Sequence, residues 1–163
     1  MAKNPLLNKT TATKENALTE EERDAFLALK QDCYLATDRG DGWWHLTPMW
    51  YLWEAGRIYH TLGASRRHLK NLRRNPRVTF CVDVDPRLAQ GLAAGTKCVV
   101  AFGTAELTEL EDDEEFVRST TDKIMYRYIG PEMPKYHDAI WAEPRTVATV
   151  TPSGWLTWDQ TKG

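Results

Sequence analysis

The sequence predicts a mainly β fold: a small barrel of five or six mostly antiparallel strands with helices packed outside it. Three observations predict it. Runs of β-branched and aromatic residues recur from Cys33 to Asp159. Several of them are separated only by short Gly, Asn or Asp turns, which allow antiparallel return but no crossover. Helical patterns fall before the first strand, inside the strand series and ahead of the last strands. The chain has 163 residues, 42% of them hydrophobic, and a formal charge of −2. That is enough apolar content for one core and one domain.

The elements follow in order. Residues 1–17 are polar, lack the basic-then-apolar profile of a secretory leader and read as a flexible arm, with one domain over 18–163. Thr19-Glu20-Glu21-Glu22 is a capping box, and EERDAFLALKQ after it is a short amphipathic helix with Ala25, Phe26 and Leu29 on one side. CYLAT (33–37) is an apolar strand and Arg39-Gly40-Asp41-Gly42 a turn. Residues 43–53, WWHLTPMWYLW, are the second strand, interrupted at Pro48 because proline has no N–H for the ladder. Glu54-Ala55-Gly56 reverses it into RIYHTLG (57–63), making a hairpin. ASRRHLKNLRRNP (64–76) is a helix with Ser65 as N-cap and Asn75-Pro76 as its stop.

RVTFCVDVD (77–85) is a strand. A Pro/Gly/Ala connection (86–96) leads to KCVVAFGTAEL (97–107), where Gly103 marks a bulge or a close backbone approach. Residues 109–129 are a helix, acidic first and basic later in accord with the macrodipole. MPKYHDAIWAEP is a second short helix. TVATVTPSGWLTWD (146–159) closes the chain as a hairpin or a bulged strand.

Several function classes are excluded by what is missing. Nothing approaches the run of about 20 apolar residues needed to cross a membrane. Cys33, Cys81 and Cys98 are odd in number and widely spaced, which points to three buried thiols in a reducing cytoplasm. His45 and His60 have no third ligand at useful spacing, so no metal is expected. No G-x-S-x-G, H-E-x-x-H, P-loop or G-x-G-x-x-G occurs.

Two features carry chemistry. The first is the basic helix with Arg66, Arg67, His68, Lys70, Arg73 and Arg74, followed by Arg77. Such a run is a solvated face, a nucleic-acid footprint or a phosphate site. Position favours the last. Thr61, Gly63, Ser65 and Arg66 lie where a strand turns into a helix start, with unpaired N–H groups and a positive dipole end. Arg66 and Arg67 add guanidinium forks suited to phosphate oxygens. The second feature is the aromatic stretch, which has no polar side at period two, so both its faces must be covered. It is either a bulged strand with ordinary core aromatics or a platform for a planar heterocycle whose phosphate lies at the helix start.

The run CYLATDRGDGWWHLTPMWYLWEAGRIYHTLGASRRHLKNLRRNPRVTFCVDVD, extended by FGTAEL (102–107), resembles the core of the flavin/deazaflavin oxidoreductases. These share the split β-barrel of pyridoxamine 5′-phosphate oxidase. The likeness lies in LAT, a D-G turn, a T-P-apolar-W strand, a hairpin, a T-x-x-S-R helix and N-P-R-V, and covers about half the chain. It implies a six-stranded antiparallel Greek-key-like split barrel and a cytoplasmic homodimer with two cofactor sites at the subunit interface. By the same resemblance Thr47, Pro48, Met49 and Trp50 meet an isoalloxazine-type ring. Thr61, Leu62, Gly63 and Ala64 line the ribityl chain, and Ser65, Arg66, Arg67, His68 and Lys70 hold the phosphate. Arg145, Trp155 and Trp158 are candidates to close the site from the other protomer.

MWYLWE lacks the basic R-x-x-L-L-K motif of pyridoxamine phosphate oxidase itself, which counts against a vitamin B6 oxidase. His68 stands where deazaflavin-binding relatives often have lysine. The expected function is a redox enzyme using the deazaflavin coenzyme F-420, or alternatively FMN, to deliver hydride to an unsaturated small organic substrate. A non-catalytic flavin or haem binder on the same platform is the second reading. Nucleic-acid binding through residues 65–77 is the third.

Overall fold

The computed structural model describes residues 12–84 and 97–162. Residues 1–11 of the expected arm and the connection at 86–96 lie outside the described residues. The elements are α1 (Glu20–Ala28), β1 (Cys33–Asp38), β2 (Trp44–Met49), β3 (Leu52–Glu54), β4 (Arg57–Gly63), α2 (Arg67–Arg74), β5 (Arg77–Val84), β6 (Lys97–Glu109), α3 (Glu114–Ile129), a 3-10 helix (Gly130–Tyr136), α4 (His137–Ile140) and β7 (Arg145–Asp159).

Seven strands form one sheet in the order β2-β1-β5-β6-β7-β4-β3, each neighbouring pair antiparallel. The two edge strands, β2 and β3, are consecutive in the chain and joined only by Trp50 and Tyr51. A flat sheet would hold its edges six strand spacings apart, about 28 Å. Two residues cannot span that distance, so the sheet curls until its edges meet, and the result is a barrel split at Trp50–Tyr51.

The expected six strands are seven because the tryptophan stretch is two strands rather than one. The break is not at Pro48, which stays in register opposite Tyr34. On an edge strand a proline is tolerated. The chain instead leaves the ladder at Trp50, and Tyr51 turns fully inward. Its hydroxyl donates to the Leu27 carbonyl at 3.0 Å, its N–H donates to the Tyr128 hydroxyl at 3.2 Å, and its ring meets Phe80 edge-on at 5.1 Å.

Local signals explain the other boundaries. Thr19 and Glu22 make the reciprocal capping box at the start of α1. Its Phe26 and Leu27 insert into the core beside Leu35, Ile58, Phe80, Val82, Val99, Ala101 and Val150. The β3–β4 hairpin turns on Ala55 and Gly56, both at positive φ as a type I′ turn requires. Gly103 sits at a register shift between β6 and β7, where a Cβ would come within 2.5 Å of the Thr151 carbonyl. The closing segment is one bulged strand.

Two helix starts differ from expectation. Helix α2 begins at Arg67 with Arg66 as N-cap, and no side chain caps it, so Ser65 is not the cap. The Arg66 N–H closes a turn onto the Gly63 carbonyl at 3.1 Å, which delays the helix by one residue. Helix α3 begins at Glu114 rather than 109, because the Asp113 carboxylate accepts the Phe116 N–H at 3.0 Å and fixes the start there. Of residues 133–144, expected as a second short helix, 133–136 end the 3-10 helix, 137–140 make one α turn, and 141–144 lie outside any helix. At the other end of the chain, the Asn16 carbonyl accepts the Asp159 N–H at 2.8 Å. No helix among the described residues is long and apolar enough to cross a membrane.

Candidate functional site

At the split, where β2 runs out and β4 turns into α2, the surface opens into a cavity of about 280 Å³. It is lined by Thr47, Pro48, Met49 and Trp50 from the end of β2, Thr61 and Gly63 from β4, Arg66 and His68 from the start of α2, Met125 from α3 and Arg145 from β7. The topology makes this meeting unavoidable. β4 lies between β3 and β7, so its end is brought beside the first residue of β7, and Gly63 pairs with Arg145.

Each wall has a local cause. Trp50 is held by a flat stack on Tyr128, centroids 4.9 Å apart and planes within 4°, while its carbonyl accepts from His60 Nδ1 at 2.9 Å. Thr61 Oγ1 is tied to Thr121 Oγ1 of α3 at 2.8 Å, which fixes the floor. His68 stacks on His45 at 6.1 Å, and His45 shares a hydrogen bond with Thr47 Oγ1 at 3.2 Å.

The polar atoms here are not all matched. His60 Nε2 and His68 Nε2 are buried with no hydrogen-bond partner. Burial holds both imidazoles neutral, with pKa values pushed down to about 4, and for His68 the neighbouring His45, His60 and Arg66 add to the effect. His68 therefore presents a hydrogen-bonding nitrogen rather than a charge. The charge comes from Arg66 and from half-buried Arg145, whose Nε donates to the Ile140 carbonyl at 2.7 Å.

Of the residues singled out by sequence, Thr47, Pro48, Met49, Trp50, Thr61, Gly63, Arg66, His68 and Arg145 are brought together. The others are not in the cavity wall. Leu62 points into the core. Ala64 faces a neighbouring hollow with Pro144, whose carbonyl accepts the Ala64 N–H at 3.1 Å. Ser65, Arg67 and Lys70 are exposed. Trp155 packs edge-on against Trp53 at 5.8 Å under the Arg23 guanidinium, as part of the barrel wall. Arg145 reaches the site of its own chain. Further along α2, Arg73 pairs with Glu109 at 2.8 Å and Arg74 with Asp38 at 3.7 Å. Among the described residues no group of three His, Cys, Asp or Glu is placed to hold a metal.

Two residues of the site carried no signal in the sequence. Met125 closes the cavity from the buried face of α3. Glu143, just before β7, sends its carboxylate back to the strand–helix corner. Its Oε2 accepts the Ser65 N–H at 2.7 Å, and Oε1 lies 2.1 Å from where a Gly63 Cβ would be. Donation from the Ser65 N–H and hydroxyl, with smaller help from Arg145 and Arg66, holds the Glu143 carboxyl below the usual range.

A curled sheet whose split edge carries an aromatic wall and a basic strand–helix corner defines a split-barrel protein with a cavity at the split. The comparisons agree and go further. The family model described as pyridoxamine 5′-phosphate oxidase matches residues 19–159, and the chain belongs to that family. A conserved hypothetical protein of Mycobacterium tuberculosis is similar in structure at a TM-score of 0.75 and 25% identity, over 92% of this chain and 90% of that one. An FAD-binding protein of Mesorhizobium loti is similar at 0.64 and 20%, over 88% and 94%. A protein described as an F420 reductase is similar at 0.59 and 24%, over 81% and 94%. No curated protein matches the chain.

Proposed function

We propose that the chain is an oxidoreductase that binds a deazaflavin of the F-420 type, or else FMN, at the split and serves hydride transfer to an unsaturated small organic molecule. The observation that carries this reading is the cavity itself. One continuous wall joins the apolar platform Pro48–Trp50 to the cationic corner at Gly63, Arg66 and Arg145. A flat ring bearing a phosphate tail has that polarity.

The residues fit such a group on three counts. Gly63 leaves space beside its backbone that only the movable Glu143 carboxylate occupies. Two guanidiniums face the corner from separate elements. An unpartnered, neutral His68 nitrogen waits in the wall. When bound, the cofactor supplies the hydride chemistry itself. Arg66 and Arg145 would neutralise the phosphate, Trp50 and Met49 would exclude water from one ring face, and His68 would hydrogen-bond a polar atom of the ligand. Similarity to an F420 reductase and an FAD-binding protein supports a flavin-type ligand.

A second copy of the chain would complete the site. Trp44, Leu46, Tyr34 and Phe102 share the outer face of β2, β1 and β6, and each is exposed, Leu46 by 63%. Large apolar side chains grouped on one sheet face mark an association surface.

The test is titration of purified protein with the deazaflavin and with FMN, followed by absorbance and fluorescence, alongside its mass in solution. Saturable spectral change with one ligand, on a dimer, is expected. No change with either would sink the reading.

A further inference from the structure

We propose that Glu143 is a built-in competitor for phosphate. Its carboxylate holds the Ser65 N–H at the corner formed by Gly63, Ser65, Arg66 and Arg145, and a phosphate-bearing ligand binds by displacing it. The inference rests on the site reading above and assigns that site a specificity-determining residue.

The geometry is specific. A glutamate 78 positions from Ser65 in sequence crosses to the β4–α2 corner and accepts the Ser65 N–H at 2.7 Å. The Ser65 side chain, Arg145 and Arg66 also favour the charged form of the carboxylate. A phosphate would use the same backbone N–H together with the two guanidiniums. The absence of a side chain at Gly63 is what lets the carboxylate in, since a Cβ there would overlap both Oε1 and Cδ of Glu143. His68, 7% exposed and with an unpartnered Nε2, lines the cavity that Gly63, Arg66 and Arg145 border beside this corner.

Displacement is physically simple. The backbone around Glu143 is held to the corner independently, through the Ala64 N–H on the Pro144 carbonyl at 3.1 Å. Only the half-buried glutamate side chain need rotate towards water. Two anions cannot share these donors without strong repulsion, so the exchange sets a threshold. A phosphate monoester near neutral pH carries more charge than the carboxylate and more acceptor oxygens. A carboxylate-terminated ligand would exchange like for like and gain nothing. Glu143 thereby makes the corner favour phosphate-bearing ligands over carboxylate-bearing ones.

The experiment compares the wild-type chain with Glu143→Gln and Glu143→Ala. Calorimetry would measure FMN and the deazaflavin, each against its phosphate-free core, and inorganic phosphate alone. Glu143→Gln keeps an acceptor for the Ser65 N–H but removes the charge, so it separates competition from a mere cap. Both variants should tighten the phosphate-bearing ligand and inorganic phosphate about tenfold and leave the phosphate-free core within twofold. Unchanged or weaker phosphate binding in both variants, with melting temperatures intact, would overturn the proposal. So would equal tightening of the phosphate-free core. If no flavin-type ligand binds any of the three proteins, the planar-cofactor reading fails on its own, and the inorganic phosphate series still decides the role of Glu143.

Discussion

Trp50 and Tyr51 are adjacent in the chain and opposite in surroundings, and the same contrast separates the two joints of the barrel. Tyr51 has its own polar atoms matched, although Gln31 Oε1 and Arg127 Nε beside it have no hydrogen-bond partner among the described residues. Its hydroxyl and N–H both have partners, and the Tyr128 hydroxyl that receives the N–H donates in turn to the Gln31 carbonyl. Around the Gly63–His68 joint they are not. A neutral imidazole nitrogen has no partner, and the amide donor of Ser65 is served by a carboxylate from far along the chain. Buried polar groups are normally satisfied by their own fold. A residue whose polar atoms are matched by the fold serves to hold that fold together, whereas an unmatched buried nitrogen that lines a cavity, as in His68, is open to a ligand.

Three measurements would break or sharpen that contrast. The largest effect is expected at the matched joint. Tyr51→Ala removes a fully buried aromatic and should cost about 3–5 kcal/mol in denaturant unfolding. Arg66→Ala at the other joint should stay within about 0.5 kcal/mol in the same experiment. Similar losses for the two would erase the distinction.

The buried histidines come next. Their folded-state pKa values, about 4, lie below the unfolded histidine value of about 6.5. Between those limits the unfolded chain binds more protons, so stability must rise with pH from about 4 to 6.5 and be complete above it. Each histidine contributes a slope of up to about 1.4 kcal/mol per pH unit in that window. His60→Gln should flatten the rise by about half, read from urea midpoints across pH 4–7. A slope equal to the wild type would show that His60 is not held neutral.

The smallest effect concerns the ligand alone. Arg66→Ala should weaken the phosphate-bearing cofactor about tenfold, roughly 1.4 kcal/mol. Arg67→Ala and Lys70→Ala, outside the cavity wall, should change affinity less than twofold. Equal losses at Arg66 and Lys70 would mean that bulk charge, not the corner, attracts the ligand.

How far the sequence reaches follows from the range of the interactions. The capping box at Thr19 and Glu22 is closed within three residues and was legible, as was the hairpin at Ala55-Gly56. Gly103 announced its bulge because only glycine permits that approach to Thr151. Much of the cavity wall was also legible, since Thr47–Trp50 and Thr61, Gly63 and Arg66 come from two short segments, whereas Leu62, Ala64 and Ser65 of the second segment fall outside it. Glu143 and Met125 were hidden because each reaches the site across a tertiary distance that no local pattern encodes. Pro48 misled for the opposite reason. A proline advertises a break in any ladder, yet the break fell two residues later, where burying the Tyr51 ring outweighed continuing an edge strand.

The register shift at Gly103 has a consequence for the reading of β7. Up to Val150 the even positions face the core, with Ala148 opposite Leu107 and Val150 opposite Ala105. Beyond the shift the odd ones do, with Trp155 opposite Ala101 and Thr157 opposite Val99. Ser153, skipped by the pairing and donating its hydroxyl to the Phe102 carbonyl at 3.1 Å, is the residue that changes the parity. It works as a frameshift in sidedness rather than in codons. Deleting this one exposed serine would make the ladder regular, with Gly154 following Pro152 opposite Phe102, and would leave Trp155 inward opposite Ala101 and Thr157 inward opposite Val99.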